Sequence, residues 1–276
     1  MRVVTYRSSR GERAGLQRDD GIIDAADALG LETASVRELI ASGRLAELDG
    51  AGGEPAAGEI ELLPPVPDPD KIVCLGLNYR SHAAEAGLEP PDSPTFFAKF
   101  RNALAAPGSR VSLPAASEKV DYEAEVAFVI ARRCRNLDAA EALEAIAGYT
   151  LLNDLSARDL QFSTPQWMPG KVFDGSAPCG PALVTPQEAG PHDEISFALD
   201  LNGERMQEAS TDDLVFSVPE VVAHLSRLMT LEPGDIVSTG TPAGVGSVRK
   251  PRVWLKPGDE IVIASPTLGR LESTIG

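Results

Sequence analysis

Two glutamates separated by one residue open an apolar run in VDYEAEVAFVIA, residues 120–131. In a strand, side chains alternate between faces, so Glu123 and Glu125 would share one face and the apolar side chains the other. A carboxylate taken out of water costs several kcal/mol unless a cation lies against it. Two such groups could bind Mg²⁺ or Mn²⁺, which accept oxygen ligands and keep water in other positions. The alternative is a solvent-facing pair on an edge strand.

A third acid follows a second apolar run. Asp154 closes the run in GYTLLNDLSARD and could complete an all-oxygen ligand set. It could equally cap a helix that begins at Ser156. These residues alone leave both interpretations open.

A histidine and a glutamate lie at helical spacing in NYRSHAAEAG. His82 and Glu85 are at positions i and i+3, where side chains are neighbours on one helical face. The carboxylate could orient the imidazole as a general base. The alternative is an ordinary surface pair. His192, in a loop, and His224, in an amphipathic helix, are expected to be structural or solvated.

Further polar residues could bind an anionic substrate. Arg158 and Gln161 follow the third acid in SARDLQ, and Lys171 lies in PGKVFDG. The loop STGTPAGVG, residues 238–246, is rich in glycine, so its backbone N–H groups could approach a carboxylate beside Thr241. A nucleotide site is not indicated, because no Gly-Lys-Ser/Thr or helix-opening Gly-x-Gly-x-x-Gly is present.

The bulk composition excludes several classes of protein. The chain has 276 residues, 43% hydrophobic and 24% charged, which is typical of a folded globular protein. A net charge of −16 argues against binding of nucleic acid or anionic membranes. Without a long apolar run or a secretory N-terminal segment, we expect a cytoplasmic protein. Three widely separated cysteines indicate neither a disulfide framework nor a zinc site.

The elements that must position these residues are mostly strands. The first part of the chain predicts a small N-terminal α/β domain, residues 1–65: a strand at 2–6, a turn, a strand near 21–24 and the helix SVRELIASGRLAEL. The glycine- and proline-rich residues 50–71 predict a linker. Residues 66–276 predict a larger domain that is α+β with mainly antiparallel strands. Its strands are expected at 95–99, 122–131, 148–153, 182–185, 195–201, 236–239, 260–264 and near the C-terminus, with helices at DAAEALEAIA and VPEVVAHLSRLM.

Six segments, taken in this order, resemble the fumarylacetoacetate hydrolase family from Lys71 to the C-terminus. They are GLNYRSHAAEAG, DYEAEVAFVI, GYTLLNDLSARDLQ, GKVFDGSAPCGPALVT, LEPGDIVSTGTPAGVG and LKPGDEIV. The chain looks most similar to the bacterial and FAHD-type branch. That branch includes acylpyruvate hydrolases, oxaloacetate decarboxylases and isomerase/decarboxylases of aromatic catabolism. The resemblance implies a mixed β-sandwich roll, a homodimer and a small variable N-terminal domain.

The resemblance also implies roles for individual positions. Glu123, Glu125 and Asp154 match the ligands of Mg²⁺ or Mn²⁺. The founding hydrolase has a fourth acidic ligand at the position of Leu75, so we expect three protein ligands here. His82 and Glu85 match a water-activating dyad on a lid segment, and Lys171 matches a lysine beside the metal. Arg158, Gln161 and Thr241 match positions that hold substrate oxygens in the family.

The implied reaction is hydrolytic C–C cleavage of a small anionic 2,4-dioxo acid. Mg²⁺ would act as a Lewis acid on the dicarbonyl, His82 would deprotonate a water, and Lys171 would offset oxyanion charge. Oxaloacetate decarboxylation and isomerisation of a 2-hydroxyhepta-2,4-diene-1,7-dioate-type compound are alternatives that use the same residues. A non-catalytic binding protein is a further alternative. Phe162, Trp167 and Met168 could form an apolar pocket wall or simply pack in the core.

Overall fold

The computed structural model describes residues 1–276, and β-strands dominate it. The strands are β1 (Arg2–Ser8), β2 (Gly11–Arg18), β3 (Gly21–Asp24), β4 (Glu61–Leu63), β5 (Ile72–Gly76), β6 (Thr95–Lys99), β7 (Leu104–Ala105), β8 (Arg110–Val111), β9 (Val120–Asp121), β10 (Ala124–Ile130), β11 (Ile146–Asn153), β12 (Ser156–Ala157), β13 (Ala177–Val184), β14 (Ser196–Leu201), β15 (Glu204–Ser210), β16 (Ile236–Ser238), β17 (Glu260–Ser265) and β18 (Gly269–Ile275).

The helices are short. They are α1 (Ala25–Leu29), α2 (Val36–Ala41), α3 (Arg80–Glu85), α4 (Ala139–Ala142), α5 (Arg158–Gln161), α6 (Pro186–Ala189) and α7 (Val218–Leu228). α7 is the longest, with 11 residues, and a capping box of Ser217 and Glu220 fixes its start. None of the helices has both the length and the apolar character needed to cross a membrane.

The strands form a large sheet and two smaller ones. The 11-stranded sheet has the order β3-β2-β1-β13-β11-β10-β16-β5-β6, with β4 paired to β1 and β7 to β13. A five-stranded sheet has the order β15-β14-β17-β18-β8, and β12 pairs with β9. Parallel pairing occurs only between β16 and β5, β13 and β7, and β18 and β8. The predicted mixed, mainly antiparallel α+β fold is confirmed.

The central strand β10 lies between two layers of core. All seven of its residues are buried, and β11 and β16 flank it on both sides. Val126 and Phe128 belong to one hydrophobic cluster, whereas Ala127 and Val129 belong to another. The alternative of an exposed edge strand is therefore wrong. Because Glu123 and Glu125 enter this buried strand at its start, they are also withdrawn from bulk water.

The N-terminal strands continue the large sheet. Residues 11–18, predicted as a turn, form β2, and β1 pairs with both β4 and β13. The predicted linker at 50–71 is wrong in part, because it contains β4. The helix expected over SVRELIASGRLAEL is divided at Gly43, whose φ of 71° favours glycine. The domain boundary near residue 65 stays a prediction.

Two further elements of residues 66–276 differ from their predicted bounds. The strand predicted over 122–131 begins only at Ala124, after a break that follows β9. The helix predicted over DAAEALEAIA is the single turn α4 followed by a 3₁₀ turn, Leu143–Ala145. The first glutamate, Glu123, therefore lies just before β10 and not within it.

Candidate active site

The three predicted acidic ligands meet at one buried point. Oxygen atoms of Glu123, Glu125 and Asp154 lie within 4.8 Å of one another. Antiparallel pairing of β10 and β11 brings them together, since Ala124 is opposite Asn153 and the Asp154 N–H donates to the Glu123 carbonyl at 2.8 Å. Asp154 is completely buried, and Ser156 begins the strand β12 rather than a helix, so the helix-capping interpretation is wrong.

Buried cations hold two of the three acids. The Lys171 Nζ lies 2.6 Å from both Glu123 Oε2 and Asp154 Oδ2. The Lys99 Nζ lies 2.6 Å from Asp154 Oδ1, and the Arg158 Nη2 lies 2.6 Å from Glu123 Oε1. Lys99 was not predicted as a site residue. The available signal was a lysine that ends the apolar strand TFFAK, where burial requires an anionic partner.

Glu125 is the acid without a cationic partner. Burial raises its pKa well above the ordinary value, and the charges of Asp154 and Glu123 raise it further. It accepts hydrogen bonds only from the Ser238 hydroxyl, at 2.5 Å, and the Gly240 N–H, at 3.1 Å. Burial also opposes the charge of Glu123, but Arg158 and Lys171 outweigh it and lower that pKa. The carboxylates are therefore incompletely neutralised by the protein.

The donor set and the charge balance fit a divalent cation. Four buried acids, including Asp121, face three buried cations, so one negative charge would remain with all four acids ionised, and the raised pKa of Glu125 shows that this carboxyl resists ionisation without a further cation. Three carboxylates offer only oxygen ligands, which suits Mg²⁺ or Mn²⁺ rather than a softer ion. Glu123, Glu125 and Asp154 are the residues that would hold it.

The glycine-rich loop at 238–246 binds carboxylates of the protein itself. The Gly240 N–H donates to Glu125, and the Gly244 N–H lies 3.0 Å from both oxygens of Glu85. The Gly246 N–H donates to Asp121 at 2.7 Å. These three amides already hold a metal-ligand candidate, the dyad glutamate and the partner of Arg158, so they are not available to a substrate carboxylate. That the loop binds a substrate carboxylate at Thr241 stays a prediction.

The two residues of the predicted dyad, His82 and Glu85, are neighbours on α3, but they are too far apart to form a hydrogen bond. The His82 Nδ1 and Glu85 Oε2 lie 3.6 Å apart, and His82 Nδ1 has no hydrogen-bond partner. Glu85 is fixed by Gly244, as described above. The helix thus places the imidazole next to its carboxylate while the loop fixes the carboxylate end.

The three predicted substrate-binding residues differ in the groups they leave free. Arg158 donates to Asp121 at 2.9 Å and to the Gln161 Oε1 at 3.0 Å. The Thr241 hydroxyl donates to the Ala124 carbonyl at 3.0 Å and accepts from Gln207 at 2.8 Å. The amide N–H₂ of Gln161 makes no hydrogen bond within the protein, so it is the donor available to a ligand.

These side chains surround a cavity of about 430 Å³. All the predicted site residues line it except Glu85 and Asp154. Leu75, at the position where the founding hydrolase has a fourth acidic ligand, also lines it. Trp167 packs edge-on against Phe97, with ring centroids 5.8 Å apart. Of the predicted apolar wall, Phe162 and Trp167 line the cavity, whereas Met168 does not. Phe162 is 67% exposed, so packing in the core does not explain it.

A mixed β-fold that holds three buried carboxylates beside a cavity offers a place for a divalent cation and a small ligand. The model of the fumarylacetoacetate (FAA) hydrolase C-terminal domain matches residues 71–276. The chain belongs to the fumarylacetoacetate hydrolase family.

Relatives within the family differ in activity. Oxaloacetate tautomerase FAHD2B, mitochondrial, from Bos taurus is 42% identical over 213 residues, 76% of this chain and 68% of the relative. A structure described as an HpcE protein from Mycobacterium smegmatis is 34% identical, with a TM-score of 0.92 over 100% of this chain and 99% of the other. Maleylpyruvate hydrolase from Sphingobium sp. SYK-6, in complex with manganese (II) ion and pyruvate, is 29% identical, with a TM-score of 0.81 over 100% and 98%.

Proposed function

We propose that the protein is a divalent-metal-dependent tautomerase that interconverts the keto and enol forms of a short 2-oxo acid, with oxaloacetate as the first candidate. The observation that carries the proposal is the buried group of three carboxylates, which adjoins a cavity lined by His82 and Lys171. The similarity to oxaloacetate tautomerases supports the substrate. Mg²⁺ and Mn²⁺ are both proposed as the ion, and a homodimer as the assembly.

Lys171 is proposed to stabilise negative charge on the substrate. A bound divalent ion would supply Lewis-acid polarisation of the 2-oxo group. Burial opposes the charge of Lys171, but the carboxylates of Asp154 and Glu123 outweigh it and raise its pKa. The amine therefore stays protonated at neutral pH and cannot act as the base. It can stabilise an oxyanion from a fixed position.

His82 is proposed to move the proton. It is the histidine that lines the cavity, and Glu85 lies beside its Nδ1. The C3–H bond of the substrate breaks and its proton passes to the imidazole. The electron pair forms the C2–C3 double bond, and the 2-oxo oxygen gains a proton to give the enol. Glu85 would stabilise the imidazolium formed in between.

A second candidate is hydrolytic C–C cleavage of a 2,4-dioxo acid. The cavity of about 430 Å³ is larger than a four-carbon acid needs, and Phe162, Trp167 and Trp254 supply aromatic surface for a longer tail. In this reaction His82 takes a proton from water, and the oxygen attacks C4. The C3–C4 bond breaks, C3 takes the proton, and a carboxylate and a pyruvate-type acid leave. Decarboxylation of oxaloacetate would use the same residues.

Deuterium exchange tests the proposal. Purified protein loaded with Mg²⁺ should speed the loss of the C3 proton signals of oxaloacetate in D₂O, without loss of carbon, and EDTA should abolish the effect. His82→Gln should remove it, and the matched variant His192→Gln, outside the cavity, should keep it. Bleaching of acylpyruvate absorbance with no effect on oxaloacetate would establish the hydrolase instead. If neither substrate reacts, both candidates are wrong.

A further inference from the structure

We propose that Lys119 and Arg252 bind the second carboxylate of the substrate, so that the site selects dicarboxylic over monocarboxylic 2-oxo acids. The claim about turnover depends on the proposed function. The claim about binding concerns two side chains that lie outside the group of three acids and can be tested without any reaction.

Lys119 and Arg252 belong to the same wall of the cavity as Arg158. The Arg158 N–H donates to the Lys119 carbonyl at 2.9 Å, and the Leu255 N–H donates to the Val120 carbonyl at 2.8 Å. Three chain segments therefore lie side by side. The side chains of Lys119, Arg158 and Arg252 all line the cavity. Arg158 is buried, whereas Lys119 and Arg252 are exposed, so the cations extend from the base to the mouth.

The cations at the base are already committed to protein acids. Lys171 contacts Glu123 and Asp154, and Arg158 contacts Asp121 and Glu123. The Lys119 and Arg252 side chains form no ion pair and no hydrogen bond. They are thus the lining cations whose charge remains available to a ligand.

Besides Glu123 and Glu125, one acid lines the cavity, and its oxygens accept hydrogen bonds from the protein. Asp159 lines the cavity and accepts hydrogen bonds from the Ser117 hydroxyl at 2.5 Å and the Glu118 N–H at 3.2 Å. The mouth therefore keeps an excess of positive charge among its lining residues. A carboxylate there meets a guanidinium and an ammonium, the groups that bind carboxylates in proteins.

The surrounding charge gives the pair a second effect. The whole protein carries a net charge of −16, which repels a dianion at long range. A local cationic mouth offsets that repulsion where the substrate enters. Because these groups are exposed, salt should screen the effect. We expect the discrimination between dicarboxylates and monocarboxylates to fall as ionic strength rises.

L-malate and L-lactate form a matched ligand pair, because each has a 2-hydroxy acid group and only malate has a second carboxylate. Calorimetric titration into Mn²⁺-loaded protein should show tighter binding of malate. The double variant Lys119→Ala/Arg252→Ala should weaken malate about tenfold and leave lactate unchanged. Lys256→Ala/Arg132→Ala removes the same charges from residues that do not line the cavity and should change neither ligand.

Turnover gives the second readout. In the Lys119→Ala/Arg252→Ala variant, the KM for oxaloacetate should rise with kcat retained. Equal affinity for malate and lactate in the unaltered protein, or an unchanged ratio in the variant, would overturn the inference. If the ratio falls in the variant but no 2-oxo acid reacts, the carboxylate subsite stands and the proposed function is wrong.

Discussion

The protein has two networks of buried charged side chains, one in the N-terminal part and one at the candidate active site. In the first network the acidic and basic groups balance, whereas in the second they do not. In the N-terminal part, Asp24 accepts hydrogen bonds from Arg13, from the Tyr6 hydroxyl at 2.6 Å and from the Asp27 N–H at 3.0 Å. One acid meets one cation, and every carboxylate oxygen is satisfied. The cavity at the candidate active site does not reach this group.

At the site the balance is broken. Glu125 has no cationic partner, and neighbouring acids add to the cost of burial, so its pKa is raised. Burial also opposes the charge of Asp24, but Arg13 and Tyr6 outweigh it and the pKa is lowered. A balanced network stabilises the fold, whereas an unbalanced one beside a cavity is ready to bind a cation at a cost in stability.

The largest expected effect comes from Glu125→Gln. Loss of one ligand should lower turnover on the order of 1000-fold, because Lewis-acid stabilisation contributes several kcal/mol. The metal-free variant should unfold at a temperature no lower than that of the metal-free unaltered protein, since the amide is neutral and burial already favours the neutral form of the Glu125 carboxyl. Thermal unfolding in EDTA measures this, with exposed Glu204→Gln as the control. A lower melting temperature for Glu125→Gln would contradict the account.

The balanced network should respond in the opposite way. Asp24→Asn leaves Arg13 buried without its anion and should lower the free energy of unfolding by about 3 kcal/mol. Turnover per folded molecule should not change. Urea unfolding measures the stability, and Asp27→Asn, at an exposed neighbour, should have a far smaller effect. Loss of activity in folded Asp24→Asn would show that the two networks are coupled.

A smaller effect of Asp24 should appear in the pH dependence of stability. Because the pKa of Asp24 is lowered in the folded protein, its contribution is present above the unfolded carboxyl pKa of about 4 and is lost as pH falls through the folded pKa. The difference in unfolding free energy between unaltered protein and Asp24→Asn should therefore be full at neutral pH and shrink in acid. A difference that is constant with pH would mean that the Asp24 charge is not responsible.

The same contrast explains what could be predicted from the sequence. Alternation along one strand predicted that Glu123 and Glu125 lie together, although Glu123 directly precedes β10, and helical spacing predicted that His82 and Glu85 are neighbours. Lys99 was missed because its contact with Asp154 depends on sheet packing between residues 55 apart in sequence. Such long-range partners leave no periodic signal in the sequence.

The strand β2 of the N-terminal part was not predicted, for a related reason. GERAGLQR lacks the alternating apolar pattern of a strand, yet it forms β2, with residues 11–17 paired to β1. In the loop at 238–246, three backbone amides bind carboxylates as expected, but these carboxylates belong to the protein. Glycine composition shows that backbone amides are accessible, but only the fold shows that Glu85 and Asp121 reach them first.

The proposed function requires that Glu123, Glu125 and Asp154 bind one divalent cation. Calorimetric titration of Mn²⁺ into metal-free protein, in two buffers of different ionisation enthalpy, tests it most directly. We expect one saturable Mn²⁺ site per chain and proton release on binding, because the pKa of Glu125 is raised. The Glu125→Gln variant should lose the site. An absence of saturable binding, or equal binding by Glu125→Gln, would contradict it.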